Sequence, residues 1–333
     1  MTTILGACGW ECGNTMMLVP DISGGNVVVS TTSKKTGSYA LRIRSETNQW
    51  AKLAIGAAVA NPSVSLWLMM DTTNAYNLND SCRIEFLLST GEYVGLRWYG
   101  PGHTFDAYVN GSKVADGTVS IGTNTWFHVQ LYVVIDDAGT IGCKIDGHSS
   151  ISYSGDTQPG AAATATYLYL RNYAYSFATF IYYDDVTWGY GGYLGVPKVY
   201  DKLVASDDTA GWTPSTGAVN YAMEDEVPPS DTDYNETAVD ATTDKLGLAA
   251  LSLTGLTPQC VIPWSRAWDP DAHGSSIQVG IDSGGSESYA TSALAAAAQY
   301  YWGAADMVNP NGGGAWDQAT IDALLHTKTS VIP

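Results

Sequence analysis

The clearest alternation of apolar and polar side chains lies in residues 123–147. Apolar residues there occupy every second position, which puts them on one face of a β-strand. These residues are Phe127, Val129, Leu131 and Val133. Residues 136–139, Asp-Asp-Ala-Gly, have a turn composition, and a second alternating run follows in residues 141–145. The pattern predicts a β-hairpin with one apolar face, and a second sheet must cover that face.

Short segments of the same kind recur through residues 1–189, with turn residues between them. Their apolar faces lie in residues 39–43, 64–70, 84–88, 105–109, 165–171 and 180–188. The dipeptide Asn110-Gly111 favours a two-residue hairpin turn. Strands at this spacing predict an antiparallel β-sandwich.

Residues 190–333 show a less regular pattern. Strands are predicted in residues 196–204, 246–253, 260–268 and 277–281. Residues 290–302 fit both a helix, because of Ala and Leu, and strands, because of the closing Tyr-Tyr-Trp. We interpret them as a strand pair. Asp317 is a fitting N-cap for a helix that runs to His326, and residues 329–332 predict a last strand. The expectation is a second, smaller β-rich domain with one short C-terminal helix.

Charge separates the two halves of this 333-residue chain, whose length suits two domains. Residues 1–189 carry 10 Lys and Arg against 15 Asp and Glu, and residues 190–333 carry 5 against 18. The balances are −5 and −13, which add up to the net charge of −18. This asymmetry places the boundary near residue 190 and predicts domains 1–189 and 190–333.

Composition argues against several classes of protein. The net charge of −18 disfavours nucleic acid and anionic membranes as partners. The first residues lack the basic and apolar regions of a secretion signal, and no run of eighteen apolar residues exists. Five scattered cysteines indicate reduced core thiols and a reducing compartment of synthesis. We therefore expect synthesis in a cytoplasm, without export.

Three segments of the first half carry a resemblance to a known fold family. They are Gly-Ser-Tyr-Ala-Leu-Arg-Ile in residues 37–43, Trp-Phe-His at 126–128 through Asp-Gly at 146–147, and Tyr-Tyr-Asp-Asp-Val in residues 182–186. In this order they resemble strands of concanavalin A-like lectin/glucanase (LamG-like) domains. The resemblance implies a jelly roll over residues 1–189 and is not specific for a ligand.

The second half resembles modules of tailed-bacteriophage virion proteins. The matching segments are Trp-Thr-Pro-Ser in residues 212–215, residues 227–234, and Trp-Asp at 316–317. Residues 227–234 depart from the pattern, because they lack a two-residue gap before Pro-Pro. The resemblance implies a structural protein of the virion, made in the host cytoplasm.

A search for reaction chemistry finds no recognisable motif. The Glu-x-Asp-x-x-Glu strand of the glucanases is absent, and Glu224, Asp225 and Glu226 are consecutive, so a strand would point the middle one away. No Gly-x-Ser-x-Gly elbow exists, and the five histidines never pair at metal or triad spacing. We therefore expect a protein that is not an enzyme.

No cofactor or metal is predicted. Calcium is the alternative to weigh, because lectin-like sandwiches often hold it with Asp and Asn oxygens in loops. None of the candidate carboxylates forms an EF-hand loop. They are Asp136 with Asp137, Asp184 with Asp185, and Asp269 with Asp271.

A sugar site needs an aromatic platform with polar neighbours. Residues 97–103 and 171–175 have this composition. The candidate ligand-binding residues are Arg97, Trp98, Tyr99, Asn172, Tyr173 and Tyr175. The rival interpretation is that these rings pack in a core or between domains.

The favoured function is a non-enzymatic virion structural protein, a capsid decoration or tail component that assembles as a homo-oligomer with other virion proteins. The alternative is a carbohydrate-binding adhesin that recognises host surface glycans. A glycan hydrolase or lyase ranks third, because no carboxylate pair is evident.

Overall fold

The structure is a computed structural model, and it describes most of the chain. The described residues are 2–10, 21–22, 26–44, 48–71, 81–158, 160–161, 163–173, 180–217 and 219–333. Two compact units, Met1–Tyr200 and Asp201–Pro333, divide the chain. The structure is nearly all β, with antiparallel sheets and one short α-helix near the C-terminus among the described residues, which confirms the predicted fold class.

The first unit is built from strands in two sheets. Its strands are β1 (Thr3–Cys8), β2 (Asp21–Ile22), β3 (Val27–Ser30), β4 (Ala40–Arg44), β5 (Gln49–Val59), β6 (Pro62–Met70), β7 (Cys82–Leu88), β8 (Tyr93–Tyr99), β9 (Thr104–Val109), β10 (Ser112–Ala115), β11 (Phe127–Val134), β12 (Gly139–Ile145), β13 (His148–Gly155), β14 (Ala165–Asn172) and β15 (Phe180–Tyr190).

The two sheets have antiparallel neighbours throughout. The eight-stranded sheet has the order β13-β12-β11-β6-β15-β4-β3, and β1 also pairs with β15. The seven-stranded sheet has the order β10-β9-β8-β7-β14-β5-β2. Side chains from the two sheets meet in a shared core, where the rings of Phe105 and Phe127 lie 6.4 Å apart and the Tyr183 hydroxyl lies 3.3 Å from Cys82 Sγ. Two sheets that share one core form the predicted sandwich.

Tight turns set the register of the hairpins. Asn110 and Gly111 join β9 to β10 with φ of 43° and 83°, and Asp146 and Gly147 join β12 to β13 with φ of 48° and 82°. Positive φ at both central residues is the requirement of a type I′ turn, and Asn, Asp and Gly tolerate it best. The predicted hairpin of residues 123–147 is confirmed as β11 and β12, which pair over Val129–Val134 and Thr140–Ile145.

The second unit has a five-stranded sheet with the order β16-β19-β24-β21-β22 and two strand pairs, β17-β18 and β20-β23. Its elements are β16 (Val204–Thr209), β17 (Thr213–Pro214), β18 (Asn235–Glu236), β19 (Thr243–Leu248), β20 (Trp264–Ala267), β21 (Ser276–Ser283), β22 (Ser286–Ala293), β23 (Gln299–Trp302), α1 (Gln318–Asp322) and β24 (Leu325–Val331). Residues 290–302 contribute to β22 and β23, so the segment is strand, as predicted. The two strands do not pair with each other, because β22 pairs with β21 and β23 with β20.

Several predicted elements of this half are wrong in their bounds. The strands predicted in residues 246–253 and 260–268 are Thr243–Leu248 and Trp264–Ala267. The helix ends at Asp322, and His326 belongs to β24. β24 is the middle strand of its sheet and pairs with β19 and β21 on its two sides, so sheet hydrogen bonds override the local helix preference. The strand expected in residues 196–204 begins only at Val204. No helix of the described chain has the length and hydropathy to cross a membrane.

Candidate functional site

The outer face of the seven-stranded sheet, which points away from the core, carries a group of polar and aromatic side chains. Along β7, Ile84, Phe86 and Leu88 are buried in the core. Their neighbours Arg83 and Glu85 therefore lie on the other face, because successive side chains of a strand alternate. The same alternation operates in β5, β8, β9 and β14.

Three arginines form a row across this face, which we call the arginine row. Arg97 on β8 is paired in register with Arg83 on β7, and Arg83 is paired with Arg171 on β14. Neighbouring strands lie about 4.8 Å apart, so the three side chains leave the sheet side by side. Asp106 on β9 and Trp50 on β5 continue the row at its two ends.

Glu85 is a carboxylate that contacts two members of the arginine row. Its Oε1 accepts a hydrogen bond from Arg97 Nε at 2.8 Å, and its Oε2 lies 3.7 Å from an Arg171 terminal nitrogen. Glu85 is only 1% exposed, and Arg83 and Arg171 are each 8% exposed. A single buried carboxylate thus lies between two of the three guanidinium groups, where the low local dielectric strengthens the attraction.

Tyrosine rings stack on each guanidinium of the row. The Arg83 guanidinium carbon lies 3.8 Å from the ring centre of Tyr173, and that of Arg97 lies 4.6 Å from Tyr108. Arg171 lies 4.3 Å from the ring of Tyr169 and 4.5 Å from that of Tyr93. Stacking engages the flat faces of the guanidinium groups, and their hydrogen bonds are made within the plane, as in the bond from Arg97 Nε to Glu85.

Further cations flank the row on the same face. Lys52 on β5 lies 3.9 Å from the ring centre of Tyr167. Lys113 on β10 pairs in register with Tyr108 and lies 3.5 Å from an oxygen of the buried Asp106. The face therefore combines cations that can hold an anionic group with rings that can pack against the flat side of a sugar.

The structure separates the residues that the sequence proposed as a sugar site. Arg97, Tyr99 and Tyr173 belong to the outer face, and Tyr99 is 38% exposed. Trp98 is 2% exposed and packs edge-on against Phe105 in the core. In this position Trp98 cannot stack against a sugar.

Asn172 is also placed in the core. It is fully buried, and its side-chain amide donates a hydrogen bond to the backbone carbonyl of Ile43 in the other sheet. Tyr175 lies outside the described residues. The reason for the separation is strand alternation, since residues adjacent in sequence point to opposite faces of a sheet.

Several residues of the face were not among the sequence candidates. They are Trp50, Lys52, Arg83, Glu85, Tyr93, Asp106, Tyr108, Lys113, Tyr167 and Tyr169. Arg171 was included only as part of the stretch 171–175. The available signal was the period-2 pattern itself, because Arg and Glu alternate with Ile and Phe in residues 83–86. What the pattern lacks is strand order, and strand order is what brings β8, β7 and β14 together.

The outer face of the eight-stranded sheet is covered by residues of the same unit. The backbone carbonyl of Gly195 accepts from Ser65 Oγ at 2.5 Å, and that of Pro197 accepts from the Trp67 indole at 3.3 Å. His128 on this face is 2% exposed and its Nε2 lies 2.7 Å from Ser65 Oγ. Burial lowers the pKa of His128, so this side chain is a satisfied structural histidine.

Four of the six carboxylates considered for calcium accept hydrogen bonds from backbone amides, namely Asp136, Asp184, Asp185 and Asp269. Both oxygens of the fully buried Asp184 accept such bonds, from Lys35 and Thr36 on one side and Asp185 on the other. Asp136 accepts from the amide of Ala138 at 2.9 Å. Within the described ranges, no group of three or more His, Cys, Asp and Glu is arranged to hold a metal ion.

Comparisons with known proteins bear on the fold. No known protein family matches the chain, and no curated protein matches it. Among solved structures, a carbohydrate esterase from Shiga toxin-encoding bacteriophage phi24B is 14% identical, with 58% of this chain and 100% of that chain covered and a TM-score of 0.45.

Two further solved structures are similar at the same level. An endo-β-1,4-glucuronan lyase from the fungus Trichoderma reesei is 10% identical, with 57% of this chain and 96% of that chain covered and a TM-score of 0.43. The carbohydrate-binding module CBM66 from Bacillus subtilis is 13% identical and has a TM-score of 0.36. The match covers 52% of this chain and 96% of that chain. All three are carbohydrate-related proteins by name.

These structures correct one expectation. The prediction that the protein is not an enzyme is wrong by this comparison, because lyases and an esterase stand among the similar structures. The resemblance of residues 190–333 to virion modules is not shown by these comparisons and stays a prediction.

Proposed function

We propose that the protein has a carbohydrate-related function and holds a polysaccharide on the outer face of the seven-stranded sheet. The observation that carries the proposal is the concentration of rings and charged groups on this single face. The aromatic residues there are Trp50, Tyr93, Tyr99, Tyr108, Tyr167, Tyr169 and Tyr173.

The groups on this face match the two kinds of surface that a sugar presents. The C–H faces of a pyranose pack against aromatic rings, and its hydroxyls bond to charged and polar groups, which fix its orientation. Seven strands at about 4.8 Å span roughly 29 Å, so the face has room for several linked sugars. This supports a polymer as the ligand.

Binding to a panel of neutral and acidic polysaccharides, measured by affinity electrophoresis and calorimetry, tests the proposal. We expect Tyr108→Ala and Tyr93→Ala each to weaken binding about tenfold, or about 1.4 kcal/mol. Tyr289→Ala is the matched control, because Tyr289 is 50% exposed in the second unit and should leave affinity unchanged. Failure of the whole panel to bind would refute the proposal.

Turnover is measured on the same polymers. New reducing ends would indicate hydrolysis, and absorbance of unsaturated sugars would indicate elimination. Either product should form about tenfold more slowly at low polymer concentration in the Tyr108→Ala variant if the reaction takes place on this face.

We further propose that the protein belongs to a tailed-phage particle, made in the host cytoplasm and assembled as a homo-oligomer with other virion proteins. The support is the resemblance of residues 212–215, 227–234 and 316–317 to modules of such particles. Mass spectrometry of purified particles should detect the chain in stoichiometric amount. Its absence from particles that infect normally would contradict this placement.

A further inference from the structure

We infer that the polysaccharide held on the outer face is acidic, and that the arginine row binds the carboxylates of its uronic acid residues. This inference rests on the proposed function and adds the charge and chemical class of the ligand. It is carried by three features of the face: its charge, its hydrogen-bonding deficit and the geometry of its guanidinium groups.

The face carries a positive charge, although the chain as a whole is negative. Of the side chains that the structure describes on it, five are cationic and two are carboxylates, which gives a formal balance of +3. The cations are Lys52, Arg83, Arg97, Lys113 and Arg171, and the carboxylates are Glu85 and Asp106. The whole chain carries −18 with only 15 Lys and Arg, so a third of its basic residues lie on one sheet face.

Like charges in register on neighbouring strands are destabilising. Arg97, Arg83 and Arg171 occupy three adjacent strands in register. The negative charges beside them are those of Glu85 and of Asp106, which is in register with Arg97. A row of this kind is stabilised when an anion binds to it, so its presence indicates a ligand that brings negative charge.

The row also contains a hydrogen-bonding deficit. Arg171 is 8% exposed, and its Nε finds no acceptor among the described residues. Glu85 Oε2 likewise has no hydrogen-bond donor within the described chain, although Arg171 lies 3.7 Å away. Buried polar atoms normally have partners, so a buried guanidinium donor without one points to an acceptor that the ligand supplies.

The geometry suits planar carboxylates. Guanidinium groups stacked on tyrosine rings present their N–H edges, and two parallel N–H groups match the two oxygens of a carboxylate. Nucleic acid is the competing polyanion, because tyrosine rings also stack on bases. The net charge of −18 repels both polyanions and does not separate them. The proposed function, a polysaccharide on this face, is what selects a polymer of uronic acids.

The test uses matched pairs of polymers on the full chain. Galacturonate, mannuronate and glucuronate polymers are each compared with the same polymer after its carboxylates are reduced to alcohols. We expect at least one acidic polymer to bind at least tenfold more tightly than its reduced partner, and 200 mM salt to weaken that binding. A single-stranded oligothymidylate should bind more weakly than that polymer.

The outcomes separate the two proposals. Equal binding of acidic and reduced forms would overturn the inference and leave the proposed function standing. Absence of binding by every polymer would remove both. Tighter binding of the oligothymidylate than of any uronate polymer would show that the row serves nucleic acid and would also overturn the inference.

Variants test whether the arginine row is responsible for the tighter binding of acidic polymers. Arg83→Gln should weaken acidic-polymer binding at least tenfold and leave the reduced polymer unaffected, and Arg83→Lys should recover only part of the loss because Lys lacks the bidentate edge. Lys144→Gln on β12 is the charge-matched control in the other sheet and should stay within twofold. If Arg83→Gln fails to fold, Lys52→Gln at the edge of the face should still show a two- to threefold loss confined to the acidic polymer.

Discussion

Asp184 shows how a single residue in the sandwich couples stability to pH. Its side chain is fully buried and accepts backbone bonds from Lys35 at 2.7 Å, Thr36 at 3.1 Å and Asp185 at 2.8 Å. Burial, and then the charge of the adjacent Asp185, raise the pKa of Asp184 to about 7, while the three amides oppose the rise. The folded protein therefore holds this proton more tightly than the unfolded chain does.

The sign of the pH dependence follows from that raised pKa. The stability that Asp184 contributes is full below about pH 4, its ordinary range, and is lost as the pH rises through about 7. Asp185→Asn removes the neighbouring charge, and Asn tolerates the φ of 47° at this position. We expect the urea midpoint of the variant to fall less between pH 5 and pH 8 than that of the native protein.

The control for this prediction is Asp137→Asn, a change at an exposed turn position that should keep the native pH profile. Circular dichroism during urea titration at several pH values provides the measurement. A native-like pH profile in Asp185→Asn would show that the neighbouring carboxylate does not act on Asp184.

At the scale of elements, β24 is the middle strand of the five-stranded sheet in the second unit. Lys328 on this middle strand is 4% exposed and pairs with Glu224 and with Asp244, whose nearer oxygen is 3.5 Å away. Asp244 is fully buried and also accepts from the amides of Gly211 and Trp212 at 2.7 Å. The ion network thereby fastens the segment after β16 to the sheet.

Removal of the Lys328 charge should be strongly destabilising. Lys328→Met leaves Asp244 buried without its cation, and the loss of one partner of a buried pair costs about 3–5 kcal/mol. Lys245→Met on β19 is the matched control. Lys245 is 24% exposed and pairs with Asp282 and Glu287, so its loss should cost about 1 kcal/mol or less. Urea unfolding of the two variants compares them, and equal losses would contradict the buried network.

The elements themselves were largely predictable from the pattern of side chains. Strict alternation located the hairpin of β11 and β12, and the Asn110-Gly111 turn fixed the register after β9. The last helix was overextended, because residues 323–326 have good helix propensity and the pairing of β24 with two neighbours cannot be read locally. Non-local hydrogen bonds decided that boundary.

At the scale of the whole molecule, charge is divided unequally between the units. Residues 1–200 carry 11 Lys and Arg against 15 Asp and Glu, or −4, and residues 201–333 carry 4 against 18, or −14. The arginine row belongs to the unit with the smaller negative charge. A polyanion that approaches the intact chain is therefore repelled mainly by the second unit.

A fragment of residues 1–200 tests this effect. We expect it to fold, as judged by circular dichroism, and to associate with an acidic polymer faster than the full chain does at 10 mM salt, where the Debye length is about 30 Å. The difference should vanish at 1 M salt, where that length is about 3 Å. Stopped-flow measurements give both rates, and a rate advantage that persists at 1 M salt would rule out long-range repulsion as its cause.

The sequence by itself determined that this chain forms antiparallel sheets, because side-chain period and turn residues act locally. It also placed Arg97, Tyr99 and Tyr173 in stretches suited to a ligand, but it could not tell them from Trp98 and Asn172, which alternate into the core. Only the tertiary structure decided that β8, β7 and β14 are neighbours. The arginine row is a product of strand order, and strand order depends on contacts between residues far apart in the chain.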